Sequence, residues 1–589
     1  MRTSIATVCL SGGLVEKLHA CAAAGFDGVE IMDADLVAAY ESPEEVRALC
    51  DRLGLGIDLF QPFRDVEGVD EATFADTLRR AEAKLALMQR LGADTVLVCS
   101  NAGTATVDDD AVAADQLGRL ADLAAPYGVR IAYEALAWGR YVADYRHAWR
   151  LVQAADRPNL GTCLDSFHIL SRGDDPSAIR EIDGRKIYFL QLADAPALDM
   201  DLLSWSRHHR LFPGEGDFDL VGFLGHVLAA GYVGPLSLEV FNDTFRQTDV
   251  VRTAAHARRS LAWLSDRAGS EVLAHPGAPE AVDFVELAGA DLAELDETLD
   301  LLGFTFRGRH RSKPVRLWSA GDAHVVLNEQ FRAEAPHLAG LGVVVDDAGE
   351  AAARAAALGA PPVFRRTFAG EQVLRVVAAP DGTEISFGGA GSSWRDEFTG
   401  GADRPGALGA GAVVDHVNLA QPWQDFDEAV LFWTSVLGLS SGASTEVPGP
   451  AGLVRSQVMR TDDGTVRIPL NMAPPTSPLP AQHVAVRCGD VVGVARRARE
   501  RGLRFLPVPA NYYDDLDARF GLPAAVLAEL RELDLLYDRD ADGEFVHFYT
   551  PTIGGVFLEL VERRGAYDGY GAPNAAVRLA AQRAQRAVG

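Results

Sequence analysis

Through the first 267 residues, short and almost unbroken apolar runs alternate with amphipathic stretches of helical period. The runs read SIATVCL, GVEIM, GIDLFQP, TVLVCS, RIAYEAL, LGTCLD, IYFLQLAD and PLSLEVF. A strand apolar on both faces belongs in a parallel sheet that helices cover on either side. Between the runs lie segments such as GLVEKLHACAAAG, SPEEVRALCDRLG and ATFADTLRRAEAKLALMQRLG. Several end at Gly, the usual residue just past a helix. Ser42-Pro43 ahead of Glu44-Glu45 predicts a helix start, with a capping hydroxyl, Pro in the first turn and acids at the positive end. Eight strands with helical crossovers predict an α/β domain over residues 1–267, a (β/α)8 TIM barrel. The Leu10-Ser11-Gly12-Gly13 segment does not supply the glycine fingerprint of a dinucleotide-binding sheet.

The pattern changes after a linker at residues 268–281, RAGSEVLAHPGAPE. Val282-Asp283-Phe284-Val285-Glu286-Leu287-Ala288 leads into a helical run ending at Leu302-Gly303-Phe304. The same order returns at Val414-Asp415-His416-Val417-Asn418-Leu419-Ala420, with a helical run to Leu437-Gly438-Leu439. This internal repeat predicts a tandem α+β region, and it resembles the paired βαβββ modules of the vicinal-oxygen-chelate fold. Its halves are residues 282–388 and 412–589, joined by a Gly- and Ser-rich linker at 389–411.

In a (β/α)8 barrel the chemistry lies at the C-terminal ends of the strands. Polar residues interrupt four consecutive apolar runs there: Glu134, Asp165, Gln191 and Glu239. Three buried carboxylates repel one another strongly unless a cation neutralises them. The set therefore predicts a metal site. Three carboxylates and an amide oxygen suit a hard divalent ion such as Mg2+, Mn2+ or Co2+. His168 stands three residues beyond Asp165 at the same rim, and an imidazole titrates near working pH.

Bulk properties narrow the partners. The 589 residues carry a formal charge of -28, with 48% apolar and 23% charged residues. A surface that acidic repels phosphate backbones, so nucleic acid and anionic membranes are poor partners. Six cysteines lie mostly in apolar runs and form no CxxC pair, which fits a reducing compartment better than a disulfide framework. The short apolar N-terminal stretch breaks at Gly12-Gly13 and reads as a first strand rather than a signal peptide. The expectation is a cytoplasmic enzyme acting on a small molecule, with homo-oligomerisation left open.

The strand-five Glu134, the run Asp165-Ser166-Phe167-His168 and the strand-eight Glu239 make the first 267 residues resemble the sugar-phosphate-isomerase-like barrels related to xylose isomerase and endonuclease IV. With the second half included, the chain resembles bacterial two-domain 3-dehydroshikimate dehydratases. That resemblance implies metal-dependent conversion of 3-dehydroshikimate to protocatechuate in quinate and shikimate degradation. It also implies that Glu134, Asp165, Gln191 and Glu239 hold the metal. His168 is then the acid or base, with Glu134 or Glu239 as the alternative base. Arg64 and Arg210 become contacts for the substrate carboxylate, since guanidinium groups bind carboxylates bidentately. Ser206 is a further candidate substrate contact. Some smaller dehydratases carry His two residues after the strand-five Glu, where this chain has Leu136, so their acid/base scheme does not transfer unchanged. The competing reading on the same barrel is a keto-sugar isomerase or epimerase with Glu134 and Glu239 as bases.

The second half resembles 4-hydroxyphenylpyruvate dioxygenase at Ile468-Pro469-Leu470-Asn471, Gln482-His483-Val484-Ala485, Phe557-Leu558-Glu559-Leu560 and Gly569-Tyr570-Gly571-Ala572. The resemblance implies a second divalent metal on His416, His483 and Glu559. Phe284 takes the place of His416 in the first copy, so no metal is expected there. Four departures argue against the dioxygenase reaction: a short Asn471-to-Gln482 connection, Met472 in place of an acid, His547 in place of Gln, and a last helix without phenylalanines. The alternative in which this half is the working dioxygenase or a ligand-binding module stays open at this point.

Overall fold

The computed structural model describes residues 1–331, 333–402, 406–442, 444–450, 452–473 and 480–588. The chain divides into two compact units, Met1–Leu273 and Ala274–Gly589. In the first, eight parallel strands close into a barrel in chain order: β1 (Thr3–Ala6), β2 (Gly28–Met32), β3 (Gly56–Phe63), β4 (Thr95–Cys99), β5 (Arg130–Glu134), β6 (Leu160–Asp165), β7 (Ile187–Leu192) and β8 (Leu236–Leu238). β1 pairs with both β2 and β8, which completes the ring. The helix expected after Ser42 spans Pro43–Leu53. Ser42 Oγ accepts the Glu45 N–H while Glu45 Oε2 accepts the Ser42 N–H, a reciprocal cap. Gly54, at φ 74°, ends it.

The first and last strands are shorter than their apolar runs. β1 stops at Ala6 because Thr7–Cys9 coils into a 3-10 turn, where Thr7 Oγ accepts the Met32 N–H at 3.0 Å. β8 stops at Leu238, although Glu239 still donates its N–H to the Leu192 carbonyl at 3.1 Å. Residues two apart on a strand share a face. Leu97, Ala132, Cys163 and Phe189 belong to an apolar plug inside the barrel. Two residues on from the last three stand Glu134, Asp165 and Gln191, so a polar layer lies on an apolar one. Among the described residues, no helix is long and apolar enough to cross a membrane.

The second unit contains two mixed sheets of matching topology. In one, Ala281–Ala288 pairs in parallel with Ala323–Asn328 and antiparallel with His337–Val344. In the other, Val413–Gln421 pairs in parallel with Arg467–Met472 and antiparallel with Gln482–Arg487. The repeat is finer than the sequence suggests. His337–Val344, its following helix Ala348–Ala357 and the strands Arg375–Ala378 and Glu384–Gly388 begin a further module within the first sheet. Within residues 389–411, Trp394–Glu397 forms a 3-10 turn, and Phe398–Gly400 pairs with Thr305–His310. The connection expected between Asn471 and Gln482 includes residues 474–479, which lie outside the described residues.

Register carries the second-half triad onto the first sheet. His483 faces Asn418 and Phe557 across its strand, and Ala485 faces His416 and Glu559. In the first sheet Gly340 faces Glu286 and Glu384, and Gly342 faces Phe284 and Ser386. The positions of His416, His483 and Glu559 thus hold Phe284, Gly340 and Ser386. The Phe284 ring fills space over Gly342, where an added Cβ would lie 2.3 Å from the ring. A Gly342→Ala substitution is therefore expected to destabilise the second unit by ~1–3 kcal/mol through overpacking. Calorimetry should register a lower unfolding temperature for that unit, and an unchanged transition would mean the ring has room to move.

Candidate active site

Glu134 ends β5, Asp165 ends β6, Gln191 lies in β7, and Glu239 follows β8. Asp165 and Gln191 are direct partners across the sheet. All four side chains are buried. Glu134 Oε2 accepts the Cys99 thiol at 3.5 Å, while its Oε1 is buried with no hydrogen-bond partner among the described residues. Asp165 Oδ1 caps the short helix Ser166–Leu170 by accepting the Phe167 N–H at 2.6 Å. Glu134, Asp165 and His168 offer donor atoms within 4.8 Å of one another.

Arg210 lies inside this cluster, more enclosed than a residue placed at an open rim. Its Nη1 donates to Asp165 Oδ2 at 2.7 Å, to Glu239 Oε2 at 3.2 Å and to the Glu239 carbonyl at 3.0 Å. Nη2 and Nε donate to Ser206 Oγ at 2.9 and 3.2 Å, and the guanidinium stacks 4.5 Å over Phe167. The physical reason is charge: Arg210 is the buried cation among acids that cannot all stand ionised beside one another. Ser206, expected as a substrate contact, has its hydroxyl engaged by Arg210. To meet a substrate, Arg210 has to exchange one of these partners. Arg64 is placed differently. It is half-buried just past β3, within electrostatic reach of Cys99, Glu134 and Glu239. Among the described residues its guanidinium forms no ion pair.

His168 receives the Ala137 N–H on Nδ1 at 3.2 Å. Nε2 lies 3.3 Å from Arg210 Nη2, itself a donor, 3.6 Å from Asp165 Oδ2 and 4.0 Å from Glu134 Oε1, so donors face both ring nitrogens. Burial pushes its pKa down to about 3, which keeps the ring neutral. Burial raises Glu134 and Glu239 above the usual carboxylate range, and repulsion within the cluster adds to it. Asp165 is the exception. Burial pushes it up, but the charge and hydrogen bond of Arg210, with the Phe167 N–H, outweigh that and leave it low.

A fourth carboxylate, Glu30 on β2, is fully buried beneath the rim. It accepts Gln61 Nε2 and Gln191 Nε2, each at 2.7 Å, and the Ser237 hydroxyl. With its Nε2 held by Glu30, Gln191 keeps Oε1 as an acceptor, which the Cys163 thiol meets at 3.4 Å. The donor set fits a hard divalent cation. The orphaned Glu134 Oε1 lacks a partner, and the acids outnumber the one buried guanidinium.

In the second unit, His416 Nε2, His483 Nε2 and Glu559 Oε2 form a triangle with edges of 3.2, 3.2 and 3.1 Å. One face of an octahedral or tetrahedral set with ~2.1 Å bonds needs edges of about 3.0–3.4 Å, so the triangle fits a small divalent ion. The ligands are held from behind. Asp415 Oδ1 lies 2.9 Å from His416 Nδ1 and is clamped by Arg563. His547 Nδ1 lies 2.7 Å from Glu559 Oε1, and Asn574 Nδ2 lies 3.0 Å from His547 Nε2. Such outer partners fix ring orientation and ligand basicity.

Residues 18–267 match the family model of the xylose isomerase-like TIM barrel. Residues 275–387 match that of the hydroxyphenylpyruvate dioxygenase N-terminal domain, and residues 413–548 that of the glyoxalase/bleomycin resistance protein/dioxygenase superfamily. The chain is 44% identical to a 3-dehydroshikimate dehydratase of Pseudomonas aeruginosa, over 99% of this chain and 98% of that one. The chain belongs to the 3-dehydroshikimate dehydratase family. A Pseudomonas putida dehydratase is 43% identical over the same shares of the two chains. A solved xylose isomerase-like TIM barrel/4-hydroxyphenylpyruvate dioxygenase fusion protein matches this dehydratase chain with a TM-score of 0.88 at 41% identity, covering 100% of both.

Sequence reasoning passed over Glu30, although GVEIM carried the same signal of an acid inside an apolar run. It also read His547 only as a departure and missed its bond to Glu559. Glu30→Ala removes the group that orients Gln191. The dehydratase's affinity for a divalent ion at the barrel is expected to fall ~10–100-fold, as for other outer partners. Calorimetric titration of the metal-stripped protein with Mn2+ measures it, and unchanged affinity would deny Glu30 that part.

Proposed function

We propose that the chain dehydrates 3-dehydroshikimate to protocatechuate at the mouth of the barrel, with Glu134, Asp165, Gln191 and Glu239 as ligands of a divalent cation. The observation that carries this reading is similarity to curated dehydratases over 99% of the chain. Mg2+, Mn2+ and Co2+ suit the all-oxygen donor set. When bound, such a cation supplies positive charge that stabilises the oxyanion developing at the substrate carbonyl. A second divalent cation belongs on His416, His483 and Glu559.

The reaction removes the proton from C4, beside the C3 ketone, and expels the C5 hydroxyl as water. Tautomerisation then gives the aromatic ring. In this reading the labour divides among the chain's own groups. His168 stands between the Ala137 N–H at Nδ1 and the Arg210 guanidinium at Nε2, and in this reading it carries its proton on Nε2 once a substrate draws Arg210 away. A neutral imidazole in that state donates a hydrogen bond to a developing oxyanion or to the departing hydroxyl. A base is then needed elsewhere, and the carboxylate of Glu134, through the oxygen that the cation leaves free, is first in line. The proton it takes from C4 can leave with the hydroxyl as water. Arg64, without an acid of its own, is the better placed of the two arginines to receive the substrate carboxylate. Arg210 holds Asp165 and Glu239 in position and limits their repulsion.

His168→Ala is expected to lower kcat by about 10²-fold or more, the usual cost of losing a proton-transfer or oxyanion partner. Metal content should stay near that of the parent, because His168 stands outside the ligand set. Arg64→Ala should act mainly on KM, as loss of a binding contact does. Elemental analysis and steady-state rates of protocatechuate formation measure both. A His168→Ala protein that lost its metal would make His168 a ligand, and an unchanged KM in Arg64→Ala would move the carboxylate contact elsewhere.

A further inference from the structure

A cavity of about 250 Å³ opens over the His416, His483 and Glu559 triad. Two arginines line it. Arg460 is paired with Asp568 at 2.5 Å. Arg578, on the last helix, is only 7% exposed, and its guanidinium packs 5.9 Å over Tyr549 and 5.6 Å over Phe557. Its hydrogen bond, from Nη1, goes to the amide oxygen of Gln582 at 3.0 Å. Among the described residues no carboxylate lies within ion-pair distance of it. The Tyr570 hydroxyl lines the same cavity, beside Arg460.

A buried guanidinium without a counter-charge is costly, and a protein keeps one where a ligand supplies the missing anion. The triad adds to the imbalance. Glu559 is its one acid, so it offsets half the charge of a divalent ion, and Arg578 brings a further positive charge. Three protein donors on one face also leave positions open for ligand oxygens. We infer that Arg578 seats the carboxylate of a small anionic ligand whose neighbouring oxygen donors face the triad. The inference stands apart from the barrel reaction, so its failure leaves that reading untouched.

Three probes separate the parts. Protocatechuate carries a carboxylate and two adjacent hydroxyls, catechol the hydroxyls alone, and benzoate the carboxylate alone. They are titrated by calorimetry into the full chain loaded with Co2+ and carrying Glu134→Ala to disable the barrel site. Protocatechuate should bind more tightly than either fragment. Arg578→Met should weaken protocatechuate ~10-fold or more, the worth of a charged hydrogen bond, and leave catechol unchanged. Arg578→Lys should fall between. Unchanged dehydratase turnover in Arg578→Met without the Glu134 substitution verifies the fold. The inference is overturned if protocatechuate binds no tighter than catechol, if Arg578→Met leaves its affinity intact, or if no probe binds at millimolar concentration.

Discussion

Repulsion among carboxylates buried at one rim is the constraint on which the barrel's chemistry depends. Glu30, Glu134, Asp165 and Glu239 lie buried on or beside strands packed around an apolar plug, so bulk water cannot screen them. Arg210 meets part of the demand by bonding Asp165 and Glu239 directly. The rest remains as carboxylates pushed toward protonation and a Glu134 oxygen without a partner. A divalent cation resolves both at once, and the same charge is what an enolising ketone needs nearby.

The second unit treats the same problem with a different balance. Its triad has one acid and two imidazoles, and Glu559 is held low because hydrogen bonds from His416, His483 and His547 outweigh burial. The sister sheet has given up the site through ordinary packing. Phe284 occupies the place of His416 and needs Gly342 opposite it, while Gly340 and Ser386 stand where His483 and Glu559 would. One architecture thus carries a donor triangle in one sheet and an aromatic plug at the matching place in the other.

Much of this was legible from residue order. A polar residue ending an apolar run is a strong signal, which is why Glu134, Asp165 and Gln191 were found at strand ends. Glu30 gives the same signal on β2, but it stands in mid-strand rather than at a strand end, and its partners Gln61, Gln191 and Ser237 come from three other strands. The direction of a loop side chain is not written in local pattern, so the inward turn of Arg210 could not be read from Arg207-His208-His209-Arg210. Phe284 was readable from the repeat itself. Gly340 and Ser386 were not, because matching them to the triad needs the register of three strands and the irregularity between Val414 and His416.

The central claim is that the barrel acids are gathered to hold a cation. Anomalous scattering from crystals grown with Mn2+ tests it most directly. The account predicts a peak bounded by Glu134, Asp165, Gln191 and Glu239, with the Arg210 guanidinium still beside Asp165 and Glu239 and outside the peak. Crystals with Mn2+ on His416, His483 and Glu559 but none at the barrel rim would contradict it, and would leave Arg210 as the only cation that those acids require.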